Sequence, residues 1–326
     1  MQNDFSEMHI NKSEVKIMNE YRPEGSLFRT ATNQKYISTL DGLTEAMEKG
    51  IILEARAAVC DSSHNLIVDL PCAGGIIYRE NCAIGISDGS TRDIAIISRV
   101  NKLICFKVVR IISSENGEIS VELSRAAAQK ECIENYTDKL RLGDVIDARI
   151  THLEQFGCFV DIGCGIPSLI PIDSISVSRI AHPSDRFSVG QYIRAIVRSR
   201  DGSRICLSHK ELLGTWEENA SGFKTGETVS GIVRSVENYG VFVELSPNLA
   251  GLAELRDDIQ AGQNVSVYIK AIIPEKMKIK LVIVDVCDDC SLDKSYKYFT
   301  DSSHFDRWDY APECSGKKIY TEFQTA

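Results

Sequence analysis

One pattern occurs twice at a fixed spacing, and it constrains the fold more than any other feature of the chain. Gly143, Phe156-Gly157 and Cys158-Phe159-Val160-Asp161-Ile162 return as Gly226, Tyr239-Gly240 and Val241-Phe242-Val243-Glu244-Leu245, each 83 residues later. Gly190-Gln191 returns as Gly262-Gln263 after only 72 residues. The first copy therefore carries 11 more residues, placed within Asp173 to Arg186, where His182-Pro183-Ser184-Asp185 reads as irregular surface. A worn third copy precedes both.

Each copy alternates apolar and polar residues over short runs, the period of half-buried strands. In the second unit the strands are expected at Val145 to Leu153, Phe159 to Ile162, Ser168 to Pro171, Tyr192 to Ser199 and Arg204 to Ser208. In the third they are expected at Thr228 to Val236, Val241 to Leu245, Gly251 to Glu254, Val265 to Ile273 and Lys278 to Val284. The worn copy offers Ile51 to Val59, Asn65 to Leu70, Ile94 to Ser98, Leu103 to Ile112 and Ile119 to Leu123. Short helices are expected at Thr39 to Lys49 and Arg125 to Leu140, with a further helical linker at Leu212 to Asn219 whose Trp216 packs on a barrel end. The expected class is all-β: tandem five-stranded barrels joined by short helical linkers.

The domain boundaries read as a flexible arm at 1–40, a degenerate barrel at 41–130, barrels at 141–210 and 224–286, and a C-terminal tail at 287–326. The arm is polar and aperiodic, with at most a short helix near Ser13 to Glu20. The tail is polar and dotted with Tyr296, Tyr298, Phe299, Trp308 and Tyr310, rings suited to wrapping the third barrel. No apolar run approaches the roughly 20 residues a membrane span needs, and the first residues lack the plan of a secretory signal, so a cytoplasmic protein with no membrane partner is expected. Eleven scattered cysteines, several at core-like strand positions such as Cys105, Cys158 and Cys206, suit free thiols in a reducing compartment. A formal net charge of -9 excludes nucleic-acid binding by bulk positive charge and confines any such site to a local patch.

Local patches exist. Alternation points Cys158 and Val160 into the barrel and Phe159 and Asp161 out, with Phe156 at the strand start able to reach the same outer face. Tyr239 and Phe242 reproduce the pair. Exposed rings on one sheet surface form a platform for unpaired bases. In the fourth strand of the second unit Arg194, Ile196 and Arg198 face out, followed by Arg200 and Arg204 around the Asp201-Gly202 turn. The third unit offers Tyr268, Lys270, Lys276, Lys278 and Lys280. Cations that track phosphate beside rings that take bases are what a single strand requires.

The order Gly143, Phe156 to Ile162, Leu169-Ile170-Pro171, Gly190-Gln191 and Arg204-Ile205-Cys206-Leu207-Ser208-His209-Lys210 resembles the S1 RNA-binding domain, a five-stranded OB-fold barrel. The resemblance is strong over 143–210 and good over 226–284. It implies an RNA face made of Phe156, Phe159, Arg198, Arg200 and Arg204, and of Tyr239, Phe242, Lys270 and Lys278; the outward alternation adds Arg194 as a further RNA-binding candidate. Arrays of this module make up the bacterial small-subunit ribosomal protein of the same name, and the third unit with its tail looks most like the short, few-domain versions of clostridia-type bacteria. The implied function is binding of single-stranded messenger RNA in support of translation on the small ribosomal subunit. The competing implication is a regulatory or RNA-decay factor that targets a nuclease or polymerase. Many family members carry a His where Pro171 and Glu254 stand; the acid at Glu254 predicts that binding centres on the second barrel.

Aligning Val68-Asp69 with Val160-Asp161 puts His64 in place of Phe156 and Ile67 in place of Phe159. A barrel that keeps its core and loses its rings reads as a docking module, so residues 41–130 are expected to contact the ribosome or another protein. No catalytic constellation appears, and neither enzyme activity nor a cofactor is expected. Cys287-Asp288-Asp289-Cys290 has zinc-like spacing, with His304 and Cys314 as further candidates, but the second half lacks paired spacing and no metal site is assigned.

Overall fold

Fifteen of the strands close into three barrels with one and the same wiring. The computed structural model describes residues 21–113, 117, 119–287 and 296–323. Barrel 1 comprises β1 (Leu53–Cys60), β2 (Leu66–Asp69), β3 (Gly74–Ile77), β4 (Leu103–Ser113) and β5 (Ile119–Ser124). Barrel 2 comprises β6 (Val145–Glu154), β7 (Gly157–Asp161), β8 (Pro167–Pro171), β9 (Tyr192–Asp201) and β10 (Arg204–Ser208). Barrel 3 comprises β11 (Thr228–Glu237), β12 (Gly240–Ser246), β13 (Leu249–Ala253), β14 (Asn264–Ile273) and β15 (Lys278–Val286). In each the circular order is first, second, third, fifth, fourth, and the third and fifth strands pair in parallel. This is the all-β, OB-like architecture that the repeat implies.

Inward residues are apolar, and mostly small or branched, in all three. Ala55, Val68, Ile77 and Val121 fill barrel 1, Ala148, Val160, Ala195 and Leu207 barrel 2, and Val233, Val243, Val267 and Leu281 barrel 3, all buried. Apolar side chains at every second position put one face of each strand in the core, which fixes the register.

Two compact units divide the chain: residues 1–140 with 161–167, and residues 141–160 with 168–326. In the first, Thr30 and Thr39 cap the helices α1 (Ala31–Ile37) and α2 (Leu40–Lys49) through their side-chain oxygens, and Gly50 ends α2 at φ 64°. Tyr36, Ile37, Leu43 and Ala46 pack into the barrel 1 core. Residues 21–40 therefore depart from the expected flexible arm. The buried Glu54 carboxylate accepts hydrogen bonds from the backbone N–H groups of Gly25, Leu27 and Phe28, and Asn33 exchanges side-chain bonds with the Glu54 backbone. The expected helix at Ser13 to Glu20 lies outside the described residues.

A second departure concerns barrel 1. Ile94–Ile97 is a helical turn, α3, and the third strand is Gly74–Ile77 instead. Of the four residues of this run only Ile96 is buried, so it does not have the alternating burial of a strand.

In the second unit the linker forms a 3-10 turn, Lys210–Leu213, and then a helix, α4 (Trp216–Ala220), which Thr215 and Glu218 close as a reciprocal capping box. Trp216 is buried in a cluster with Ile196, Val233 and Val265, so its indole is structural. The loop expected as irregular surface carries two 3-10 turns, Ile172–Ser174 and Pro183–Asp185, the latter capped by His182. Ile175 and Arg186 within it, and Phe187 just after it, are buried.

The C-terminal segment runs along barrel 2 as well as barrel 3. The Val145 N–H donates to Ser303 O, the Phe305 N–H to Gly143 O and the Trp216 N–H to Tyr310 O, and Trp308, Tyr310 and Phe323 join the cluster around Trp216. The segment ends in a hairpin of β16 (Arg307–Asp309) and β17 (Tyr320–Glu322). No helix among the described residues is long and apolar enough to cross a membrane.

Candidate nucleic-acid interface

The aromatic pairs are built the same way twice. Phe156 stands in the turn before β7, 56% exposed, and the ring of the half-buried Phe159 meets its ring edge-on, centroids 6.0 Å apart at 86°. Tyr239, 66% exposed, and Phe242 repeat this at 6.0 Å and 88°. The glycine after each leading ring is part of the device. Gly157 has φ +155° and a Cβ there would stand 2.3 Å from Ile170 O; Gly240 has φ +147° and a Cβ 2.5 Å from Ala253 O. The backbone crosses the neighbouring strand too closely for any side chain, and that crossing turns the ring outward.

Register defines what lies beside the rings. In barrel 3, Ser235 pairs with Phe242, Phe242 with Leu252, Leu252 with Lys280 and Lys280 with Ala271, so these side chains form one outward row. Lys270 is the extra residue of a β-bulge next to that row, and a bulge re-aims its side chain. Lys270, Lys278 and Lys280 are exposed.

Barrel 2 has the same bulge, with Arg198 as its extra residue, and its row contains Leu169, Cys206 and Ser199. Cys206 thus holds the place of Lys280 and faces outward, half-buried; it is not the core cysteine the alternation suggested. Arg204 is exposed at the head of β10 and Arg200 is half-buried, its Nε donating to Gly202 O at 3.1 Å. Arg198 donates to Ser174 Oγ and lies 3.9 Å from Asp173.

Three predicted placements fail on geometry. Arg194 is bound within the chain: Nη1 donates to Thr300 O at 2.7 Å, Nη2 to Ser302 O at 2.8 Å, and the guanidinium lies 5.7 Å from the Tyr298 ring centroid. It anchors the C-terminal segment and is not set beside Phe156 and Phe159. Asp161, expected outward in solvent, is buried and accepts N–H bonds from Glu24, Gly163 and Gly165. Burial raises its pKa to about 7. Ile196, also expected outward, is buried in the Trp216 cluster.

Sequence reasoning missed the bulge. Nothing in Arg198 or Lys270 alone marks an unpaired residue, although the slip from spacing 72 at Gly190-Gln191 to spacing 74 between Arg204 and Lys278 shows where the two hairpins differ. It also missed His152, which is exposed on β6 and lies 83 residues before Ser235, the cross-strand neighbour of Phe242.

Barrel 1 carries aliphatic residues and one acid–base pair at the same places. Ile67 pairs with Ile76, Ile76 with Glu122 and Glu122 with Arg110, and the bulge residue is Val109, 46% exposed. Glu122 stands in the Lys280 position and is held by Arg110 at 2.7 Å. Val59, 52% exposed, pairs with Ile67.

Among the described residues no group of three or more His, Cys, Asp or Glu side chains is arranged to hold a metal ion. Cys290, half of the zinc-like spacing, lies outside the described residues. His304 is bonded to Asp144 at 2.7 Å, and Cys287 lies 3.3 Å from Ser266 Oγ.

A closed five-stranded barrel that presents an aromatic pair beside exposed cations is an OB-type module of the kind that binds single-stranded nucleic acid. Residues 139–210 match the S1 RNA binding domain. Over 195 residues the chain is 33% identical to small ribosomal subunit protein bS1 of Staphylococcus aureus (strain COL), covering 54% of this chain and 49% of that protein. It is 30% identical over 191 residues to the bS1 of Chlamydia muridarum, covering 54% and 33%. The chain thus spans about half the length, or less, of these curated relatives. Among solved structures, a multidomain protein with nucleic acid binding domains from Streptococcus pneumoniae aligns over 72% of this chain and 73% of that one, at 11% identity and a TM-score of 0.24.

Proposed function

We propose that this protein binds single-stranded RNA, in the cell messenger RNA, across the outer faces of barrels 2 and 3, and acts in translation at the small ribosomal subunit. The carrying observation is the duplicated ring pair, matched in separation and angle, with exposed cations beside it. Phe156, Phe159, Tyr239 and Phe242 take bases. Arg198, Arg200, Arg204, Lys270, Lys278 and Lys280 track phosphate. The ribosomal part of the reading is supported by the names of the relatives. Barrel 1 has lost the rings from the same face, holds its cation Arg110 there against Glu122, and exposes Val59 and Val109 beside them, which suits contact with a protein, and we assign it to docking.

The decisive measurement is binding of poly-U and of duplex RNA by the full chain, with a folded Phe156→Ala/Phe159→Ala variant beside it. Single strands are expected to bind in preference to duplex, and the double variant to lose roughly 2–6 kcal/mol if each ring stacks one base. Unchanged affinity in the folded variant would sink the stacking assignment. Co-sedimentation with small ribosomal subunits in high salt, abolished by removal of residues 1–130, tests the docking role. Copurification with a nuclease alone would favour the RNA-decay reading.

A further inference from the structure

The bulges align the fourth and fifth strands of the three barrels residue by residue. Two positions before the bulge, Lys107 on β4 pairs with Ser124, Ile196 on β9 with Ser208, and Tyr268 on β14 with Val282. Alternation with the core residues beside them turns all six side chains outward. In barrels 1 and 2 the chain closes this position. Lys107 donates to Glu131 on the helix Arg125–Asn135, and Ser124 is the N-cap of the same helix. Ile196 is buried in the Trp216 cluster, and the buried Ser208 donates to Glu211 in the linker. In barrel 3 the position is open: Tyr268 is 40% and Val282 41% exposed.

The open pair continues the row that begins at Phe242. Val282 lies two residues beyond Lys280 on β15, and Tyr268 two before the bulge residue Lys270 on β14, so ring, valine and both exposed ammonium groups share one outward surface. Ring and valine suit any flat apolar group. The two lysines select one that carries negative charge, and a single strand supplies both, a base and its phosphate. From Phe242 the path to Tyr268 crosses three strand spacings, about 14 Å, and runs two residues, about 7 Å, along the strands. That exceeds the roughly 3.4 Å between stacked bases, so a base on Tyr268 belongs to a nucleotide further along the strand. The exposed Asp285, opposite Ser266, comes next on this face, and its carboxylate closes the track to phosphate.

We propose that Tyr268, backed by Val282, is a third stacking platform of barrel 3, which takes one base of the RNA strand beyond those on Tyr239 and Phe242 at a position that barrels 1 and 2 have closed. The assignment rests on the single-strand reading above and adds a subsite to it.

The test titrates the full chain with an oligouridine of roughly 16 nucleotides, enough for one or more such barrels. Tyr268→Ala is expected to lower affinity roughly tenfold, the worth of one stacked base, and Tyr268→Phe to keep it. The dependence of log affinity on log salt is expected to hold its slope, since no cation is removed. A loss in Tyr268→Phe as large as in Tyr268→Ala would overturn stacking. The same oligouridine carrying 4-thiouridine is expected to photocrosslink to Tyr268 of the unaltered chain as well as to Tyr239 or Phe242, and this map decides alone should Tyr268→Ala fail to fold. If the unaltered chain binds no single-stranded RNA, the functional reading and this subsite fall together. If Tyr239→Ala/Phe242→Ala weakens binding while Tyr268→Ala binds as well as the unaltered chain and no adduct forms at Tyr268, the subsite alone is overturned. Sedimentation tests the rival occupant: self-association that Tyr268→Ala abolishes, with RNA affinity unchanged, gives this face to a second copy of the chain and also overturns the assignment.

Discussion

At the scale of single residues, function follows what each side chain already holds. Arg194 and Arg198 sit four apart on β9 and read alike in the sequence, yet the first spends two donors on the carbonyls of Thr300 and Ser302. Arg194→Ala is therefore expected to leave RNA affinity within about twofold and to destabilise the second unit by roughly 1–3 kcal/mol, the range for losing charge-assisted bonds to partly buried carbonyls; thermal melts and RNA titration on one sample check both. His209 makes a complementary case. It is fully buried, with Nδ1 3.1 Å from Ile175 O and Nε2 3.3 Å from Tyr298 Oη, and burial depresses its pKa to about 4 from 6.5. The unfolded chain binds the proton more readily, so stability is complete above about pH 6.5 and is lost as pH falls towards 4, by about 3 kcal/mol. Denaturation midpoints across that window should fall in the unaltered chain and fall less in a folded His209→Phe variant. The ring pairs were legible because spacing alone reveals them. Arg194 was not, because its partners lie more than 100 residues further along the chain.

At the scale of elements, the β-bulge divides the barrels into kinds. Each fourth strand has one, and the residue it re-aims is Val109 in barrel 1, Arg198 in barrel 2 and Lys270 in barrel 3. The strands themselves were legible wherever alternation ran for five or more residues. Ile94–Ile97 was not, since four apolar residues in a row fit a helical turn as well as a strand, and Gly74–Ile77 was hidden by the turn signal of its two glycines. The crossing at Gly157 is testable as an element. Gly157→Ala forces a Cβ against Ile170 O in a backbone conformation that L side chains avoid, and should cost roughly 1–3 kcal/mol while displacing the Phe156 ring. A stability loss together with weakened poly-U binding is the expected pair of results; full stability would show that the crossing relaxes.

At the scale of the molecule, an acidic chain holds a polyanion only through its patches, and the patches are unequal in a way the sequence did not show. The acid at Glu254 pointed to barrel 2 as the stronger site, yet barrel 2 sets Cys206 in its central row and lends Arg198 to Ser174 and Asp173, whereas barrel 3 presents Lys280 in that row with Lys270 and Lys278 exposed around it. Electrostatic affinity should therefore come more from barrel 3 and stacking from both. Removing one phosphate-bound cation lowers the slope of log affinity against log salt by about 0.7 for a single strand. Lys270→Ala/Lys278→Ala/Lys280→Ala is expected to flatten the slope by about 2, and Phe156→Ala/Phe159→Ala to weaken binding at every salt concentration while leaving the slope in place. If the lysine variant keeps the full slope, phosphate runs instead along Arg198, Arg200 and Arg204, and the strand lies chiefly on barrel 2 as the sequence first implied.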